Sequence, residues 1–258
     1  MTDYSMELIT GASIAVPDVC WIRQPRLLMF REPNPYGLPY QHGLPYAAYN
    51  SMISLLTMDR DQLLEAVDMK EAFEKMPIEA QDSLTSFDVI CAAAPLRHLM
   101  VDLLTLFCET EVYVDHDHRC LALLREDGQM QPLTHDEFQQ LRKVIGLVNL
   151  ISVEEEKEMK FASAAAKRIF EKLQAGRKKR KQKSDPAMEL PNVISVVASK
   201  HNSYNLLNIW GLTVWQLYNQ FTRLGFSMQV DAYTTKWSVW GSDKFDWTLW
   251  SQPLNQTD

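Results

Sequence analysis

The sequence predicts a mainly α protein (α+β) with three parts. These are a helical N-terminal domain with a small β-hairpin, a charged helical linker, and a tryptophan-rich helical C-terminal domain. Apolar residues recur at helical spacing from residue 46 onward and again in the C-terminal part. A dense run of charges separates the two regions, and six of the seven tryptophans follow it. We therefore expect domain boundaries that divide the chain into 1–151, 152–185 and 186–258.

Composition argues against several classes of protein. The chain has 258 residues, 46% of them apolar, which is enough to bury a sizeable core. Its formal charge of −7 gives no overall attraction to nucleic acid or to an anionic membrane. The first residues lack the pattern of a secretory signal, and no apolar run is long enough to predict a spanning helix. Four irregularly spaced cysteines are expected to be reduced thiols, so we expect a soluble cytoplasmic protein.

The N-terminal section is predicted to be extended and then helical. Six prolines from Pro17 to Pro45 interrupt any helix before Ala47, because each lacks an amide proton and restricts the preceding residue. Residues 13–30 are expected to supply one or two short strands or an extended arm. A helix follows, and residues 59–76 are expected to form a short exposed helix or a pair of helices.

A long apolar helix is predicted over residues 87–109. Ser86 is its expected N-cap, and Pro95 is expected to kink it or to divide it in two. After this helix, residues 111–115 alternate between apolar and polar, and an apolar run covers 120–126. Together they predict a small β-hairpin, closed by the turn signal Asp127-Gly128 at 127–128.

Two capping boxes predict where later helices begin. Thr134 and Glu137 start a helix that carries an apolar face, made of Phe138, Leu141, Ile145 and Val148. Thr213 and Gln216 start another, and Gly211 is expected to separate it from a short element on its N-terminal side. In addition, a helix is predicted over residues 191–202, with Pro191 in its first turn.

The C-terminal end has two interpretations. Helical spacing continues through Phe226, Val230, Tyr233, Trp237 and Trp240. The alternative interpretation is a pair of strands around residue 241.

Candidate chemistry is sparse. A cluster of ligand-type residues lies near the predicted hairpin, namely Asp115, His116, Asp117, His118 and Cys120, and alternate positions on a strand share one face. A zinc site needs three convergent ligands and a supporting shell, so a polar hairpin edge is the favoured interpretation. The sequence contains no nucleophile motif and no glycine-rich phosphate loop. We therefore predict no metal, no cofactor, no catalytic residue and no enzymatic activity.

Two groups of residues are candidates for binding. The basic residues Arg177, Lys178, Lys179 and Arg180 could contact phosphates, but they lack interleaved aromatic residues, and a solvated linker is the favoured interpretation. The aromatic residues are the stronger candidates because tryptophan and tyrosine anchor protein interfaces. Core and docking face both remain open for this second group, which comprises Trp210, Trp215, Tyr218, Phe221, Trp237 and Trp240.

Three motifs carry a resemblance to a known family. They are the extended "IRQPRL" at 22–27, the helix start at 134–145, and "NLLNIWGLTVWQLYNQF" at 205–221. In this order they resemble proteins from the tail-gene cluster of Gram-positive siphophages and prophages. The chain departs from the simplest of these in its length and in its "NPYGLPYQHGLPY" segment.

The resemblance implies a tail assembly chaperone of the host bacterial cytoplasm. Such a protein binds the phage tape-measure protein or the tail tube protein during assembly, and self-association is also possible. No membrane partner is expected, and a nucleic-acid partner is not favoured. The alternative hypothesis is a phage-encoded regulator that binds a host protein or nucleic acid through the basic linker.

Overall fold

A computed structural model describes residues 4–33, 36–115, 120–125, 127–153 and 188–241. The described residues are mainly α-helical and include two small antiparallel sheets, which confirms the predicted fold class. The charged stretch predicted as a helical linker lies outside them, apart from its first two residues.

The chain divides into two compact units. The first comprises Met1–Glu154 and Trp210–Gln216, and the second comprises Glu155–Ile209 and Leu217–Asp258. Trp210–Gln216, a short segment from the C-terminal part of the chain, belongs to the first unit. This was not predicted, because the predicted N-terminal domain contained only consecutive residues. The predicted division into 1–151, 152–185 and 186–258 stays a prediction.

The first unit opens with a short helix and a hairpin. Helix α1 (Ser5–Thr10) is followed by strands β1 (Ile14–Val16) and β2 (Cys20–Ile22), which pair antiparallel. A 3-10 helix spans Leu27–Phe30. The predicted short strands are therefore confirmed, and side chains alternate along β1 between buried and exposed because successive residues of a strand point to opposite faces.

A series of short helices follows the proline-marked section. These are α2 (Tyr46–Ser54), α3 (Arg60–Ala66), α4 (Lys70–Glu74) and α5 (Ile78–Ser83). Helix α2 and the α3–α4 pair confirm the predicted elements. The break between α3 and α4 includes Asp68, which has a positive φ of 56° and so cannot continue a right-handed helix.

The long apolar helix is divided, as the proline predicted, into α6 (Ser86–Ala92) and α7 (Ala94–Phe107). The prediction that Ser86 is the N-cap was wrong. The hydroxyl of Thr85 accepts a hydrogen bond from the Asp88 amide (3.2 Å), and the Asp88 carboxylate accepts one from the Thr85 amide (2.8 Å). This capping box places the cap one residue earlier.

The bend between α6 and α7 bears on whether the chain contains a membrane-spanning helix. Within the described part of the chain, no single helix has the length and apolar character of a membrane span. The pair α6 and α7 meets those criteria only jointly, and it is bent by 106° at the junction.

A three-stranded antiparallel sheet follows α7. It contains β3 (Val112–Asp115), β4 (Cys120–Leu124) and β5 (Met130–Pro132), in the order β3-β4-β5. The turn at 127–128 joins β4 to β5, so it does not close the predicted pair of strands. Strand β5 was not predicted, because it has only three residues, all of them exposed, and ends in a proline.

Helix α8 (His135–Val148) begins at the predicted capping box. The Thr134 hydroxyl accepts a hydrogen bond from the Glu137 amide (3.3 Å), and the Glu137 carboxylate accepts one from the Thr134 amide (2.8 Å). The predicted apolar face is buried, which confirms the helical spacing, and it comprises Phe138, Leu141, Ile145 and Val148.

Two further helices complete the described chain. Helix α9 (Leu190–Lys200) has Pro191 in its first turn, as predicted. After a 3-10 helix at Ile209–Gly211, helix α10 (Val214–Trp240) runs for 27 residues. The alternative of a strand pair is therefore wrong up to Trp240.

Gly43 provides a test of the packing in the first unit. Its φ is +94°, and a Cβ at this position would lie 2.6 Å from the carbonyl oxygen of Phe30. We expect Gly43→Ala to lower the free energy of unfolding by about 3 kcal/mol, since backbone strain and a clash with rigid backbone add together. The measurement is urea denaturation followed by circular dichroism.

Gly128 is the matched control for this substitution. It also has a positive φ (+76°), but no atom lies within 4 Å of its added Cβ. Gly128→Ala should cost only about 1 kcal/mol, the strain alone. Equal losses for the two variants would contradict the packing at Gly43.

Candidate partner-binding site

The C-terminal motif begins with a helix start that is built as predicted. The amide of Thr213 donates a hydrogen bond to the side-chain oxygen of Gln216 (2.9 Å), and the amide of Gln216 donates one to the Thr213 hydroxyl (3.2 Å). This reciprocal arrangement satisfies two amides that the first turn of α10 cannot satisfy itself. The predicted capping box is confirmed.

The same motif is anchored to the N-terminal residues of the first unit. The amide of Leu27 donates to the carbonyl of Leu212 (2.8 Å), next to an antiparallel bridge between Arg26 and Thr213. The side-chain amide of Gln216 donates to the carbonyl of Ile9, also at 2.8 Å. We call residues 210–216 the anchor segment, because these bonds hold it within the first unit.

Trp215 lies near the C-terminal end of the anchor segment and is buried. Only 4% of its surface is exposed, and the indole nitrogen has no hydrogen-bond partner among the described residues. Trp210, at the start of the segment, is half-buried. The folded structure therefore does not present the Trp215 ring at the surface, and the partner-binding role predicted for these two tryptophans stays a prediction.

In the second unit, α9 packs beside the middle of α10. The Tyr218 hydroxyl donates to the carbonyl of Met188 (2.7 Å), just before α9, and Val193 and Val197 of α9 are fully buried. Tyr218 and Phe221 are half-buried.

A groove of about 350 Å³ lies between these two helices. Val196 and Lys200 of α9 line one side, and Phe221, Gly225 and Met228 of α10 line the other. Sequence reasoning missed the α9 contribution. The valines and Lys200 of α9 recur at helical spacing, which was the only sign of this face in the sequence. Such spacing does not reveal which neighbouring element the face of a helix contacts.

From Gly225 onward, no side chain of α10 that the structure describes is buried. Every side chain described within residues 225–239 is half-buried or exposed. Four of them form what we call the aromatic stripe, Phe226, Val230, Tyr233 and Trp237, at steps of four, three and four that place them on one side of a helix. Tyr233 is 51% exposed and Trp237 is 50% exposed.

Charge is sparse along this part of α10. Asp231 and Lys236 are its only two charged residues, and their charges cancel. A partner that covers the aromatic stripe would therefore gain free energy from the burial of apolar area, with little electrostatic contribution. Trp240 ends the helix, and its side chain lies outside the described residues.

The remaining candidates also fall outside the described residues. These are the basic residues Arg177, Lys178, Lys179 and Arg180, together with His116, Asp117 and His118 of the ligand-type cluster. Across the residues that can be assessed, no three His, Cys, Asp or Glu side chains are grouped so that they could hold a metal ion.

Comparison with known proteins gives a match for the C-terminal part of the chain. A family model described as the YomV second domain matches residues 178–255. Neither the curated proteins nor the solved structures contain a match. The matched region includes the groove-lining residues of both helices and the whole aromatic stripe. This domain family is a Bacillus phage-type family, so the C-terminal part of the chain is similar to a phage protein. This agrees with the expected resemblance to proteins of Gram-positive phages.

Proposed function

We propose that the protein is a non-catalytic bacteriophage tail morphogenesis protein that acts as a tail assembly chaperone in the host bacterial cytoplasm. In this proposal it binds the tape-measure protein or the tail tube protein before the tail is complete. The phage-type domain match supports the general class, and the resemblance of the three sequence motifs supports the specific role.

The exposure of the aromatic stripe is the observation that carries the binding role. Tyrosine and tryptophan offer large contact areas and lose little side-chain freedom on binding, so they often dominate interface free energy. Here two of them, Tyr233 and Trp237, are half-exposed on the outer part of α10. A soluble protein that exposes such residues at regular spacing has the surface needed to cover an apolar partner.

A helical partner fits this surface best. Anchors at steps of four, three and four match the repeat of a second helix laid alongside, as in helix-in-groove recognition and coiled coils. The long, coiled tape-measure protein has helices of this kind. The groove between α9 and α10 would receive side chains of the same helix next to the stripe.

Co-expression tests the proposal. The full chain is produced together with the tape-measure protein of the same genome and, in a separate culture, with the tail tube protein. We expect one of the two to become several-fold more soluble and to co-purify with the chain, because the complex covers apolar surface that otherwise drives aggregation. Light scattering of the complex would give its stoichiometry and any self-association.

The proposal fails if neither phage protein changes in solubility and neither co-purifies. An unrelated helical protein of similar length serves as the control in the same host. Equal solubilisation of that control would show non-specific holding and would also contradict the assigned partner.

A further inference from the structure

Two cysteines that are distant in sequence meet in the first unit. Ile22 of β2 forms an antiparallel bridge with Cys108, and the amide of Glu109 donates to the carbonyl of Trp21 (2.9 Å). In this register Cys20 is the diagonal neighbour of Cys108 and lies on the same face. The two thiols are joined by a hydrogen bond.

The surroundings of the two thiols give them different character. The hydrogen bond from Cys108 lowers the pKa of Cys20, and the positive charges of Arg125 and Arg23 assist it. Partial burial of Cys20 and the Glu109 carboxylate oppose this shift without reversing it. The same hydrogen bond and complete burial raise the pKa of Cys108. Arg23 is held close by, because its guanidinium donates to the Cys108 carbonyl and lies 4.7 Å from the centre of the Tyr36 ring.

The other two cysteines lack this arrangement. Burial raises the pKa of the Cys91 thiol to about 11. Cys120 is half-buried like Cys20, but burial and the nearby Asp115 carboxylate raise its pKa. Since the thiolate is the nucleophile, Cys20 is the thiol best prepared to react at neutral pH.

We propose that Cys20 and Cys108 form a peroxide-sensitive dithiol that closes to an intramolecular disulfide. The Cys20 thiolate attacks one oxygen of hydrogen peroxide, the S–O bond forms as the O–O bond breaks, and the departing hydroxide takes up a proton as water. The Cys108 sulfur then attacks the Cys20 sulfur, the S–S bond forms as the S–O bond breaks, and the leaving hydroxide takes the thiol proton as a second water. Peroxide is reduced and two thiols are oxidised.

The product would be a covalent link between the end of the β1–β2 hairpin and the end of α7. Diagonal neighbours are further apart than directly opposite residues, so closure requires the β2 end to move slightly toward α7. Cys20 is the first residue of β2, directly after the hairpin turn, and it pairs with Val16 of β1.

The test uses the full-length protein, treated with hydrogen peroxide in its folded state. Remaining thiols are then alkylated in denaturant, and the peptides are mapped by mass spectrometry. We expect a linked pair of peptides containing Cys20 and Cys108, lighter than the reduced pair by the mass of two hydrogen atoms, with Cys91 and Cys120 alkylated. Without peroxide, iodoacetamide should modify Cys20 several-fold faster than Cys120 at pH 7.5, because the pKa of Cys20 is lowered and that of Cys120 is raised.

Two variants define the roles. In Cys108→Ala, peroxide should leave Cys20 as a sulfenic acid that a cyclic diketone traps, because no resolving thiol remains. In Cys20→Ser, Cys108 should stay reduced. The proposal is overturned if the wild-type protein yields no linked peptide, or if Cys20 and Cys120 react at equal rates. The wild-type measurement decides the question even if a variant fails to fold.

Discussion

Trp215→Ala is expected to lower the free energy of unfolding of the first unit by about 3–5 kcal/mol, the cost of removing a large buried aromatic side chain. The ring is 4% exposed and lies in the anchor segment. Leu212 and Thr213 of the same segment are also buried, and they pair with Leu27 and Arg26 of the first unit. Because the segment enters the first unit from a distant part of the chain, few local contacts can compensate.

Urea denaturation followed by circular dichroism measures this effect. Trp237→Ala is the matched control, since the same side chain is removed from a position that is half-exposed. It should cost about 1 kcal/mol or less. Trp215→Phe should cost less than Trp215→Ala, because it fills most of the same space and removes the indole nitrogen that has no hydrogen-bond partner in the described structure. Similar losses for Trp215→Ala and Trp237→Ala would contradict the placement of Trp215 in the core.

This expectation changes how partner binding should be tested. A Trp215 variant that fails to bind a partner would report unfolding as readily as a lost contact. Residues of the aromatic stripe avoid this problem because they lie outside the core.

The double variant Tyr233→Ala/Trp237→Ala is expected to weaken the proposed partner's binding by about 100-fold or more, since interface aromatic residues often contribute about 2 kcal/mol each. Stability should change little, because both residues are half-exposed and alanine is the best helix former. The measurement is a binding titration between the purified chain and the phage protein that co-purifies with it. Circular dichroism of the free chain confirms that the helix is retained.

Val239→Ala is the control on the same helix. Val239 is 66% exposed and lies two residues from Trp237, about 200° around the helix, so it faces away from the stripe. Its substitution also removes apolar surface but should leave affinity within about twofold. If Val239→Ala weakens binding as much as the double variant, the contact is not specific to the stripe.

The elements that were predictable from sequence are those specified by neighbouring residues. The capping boxes at Thr134 and Thr213 involve side chains and amides only three residues apart, so the sequence contains both partners. The division of the apolar helix at Pro95 follows likewise from one residue. The cap at Thr85 was missed because Ser86 is an equally good capping type, and only the position of Asp88 distinguishes them.

Features that depend on distant residues could not be predicted. No local pattern links Leu27 to Leu212 or Cys20 to Cys108, and each pair is brought together by the fold. Residue type made Trp215 and Trp237 equally good candidates for binding, yet the first is buried and the second is half-exposed. Periodicity reports which residues share a face, and it does not report what covers that face.

The most direct test of the proposed function is the affinity of the co-purifying phage tail protein for three forms of the chain. These are the wild type, Tyr233→Ala/Trp237→Ala and Val239→Ala. The proposal predicts tight binding by the wild type and Val239→Ala, and at least about 100-fold weaker binding by the double variant at unchanged helicity. Equal affinity of all three forms would contradict it.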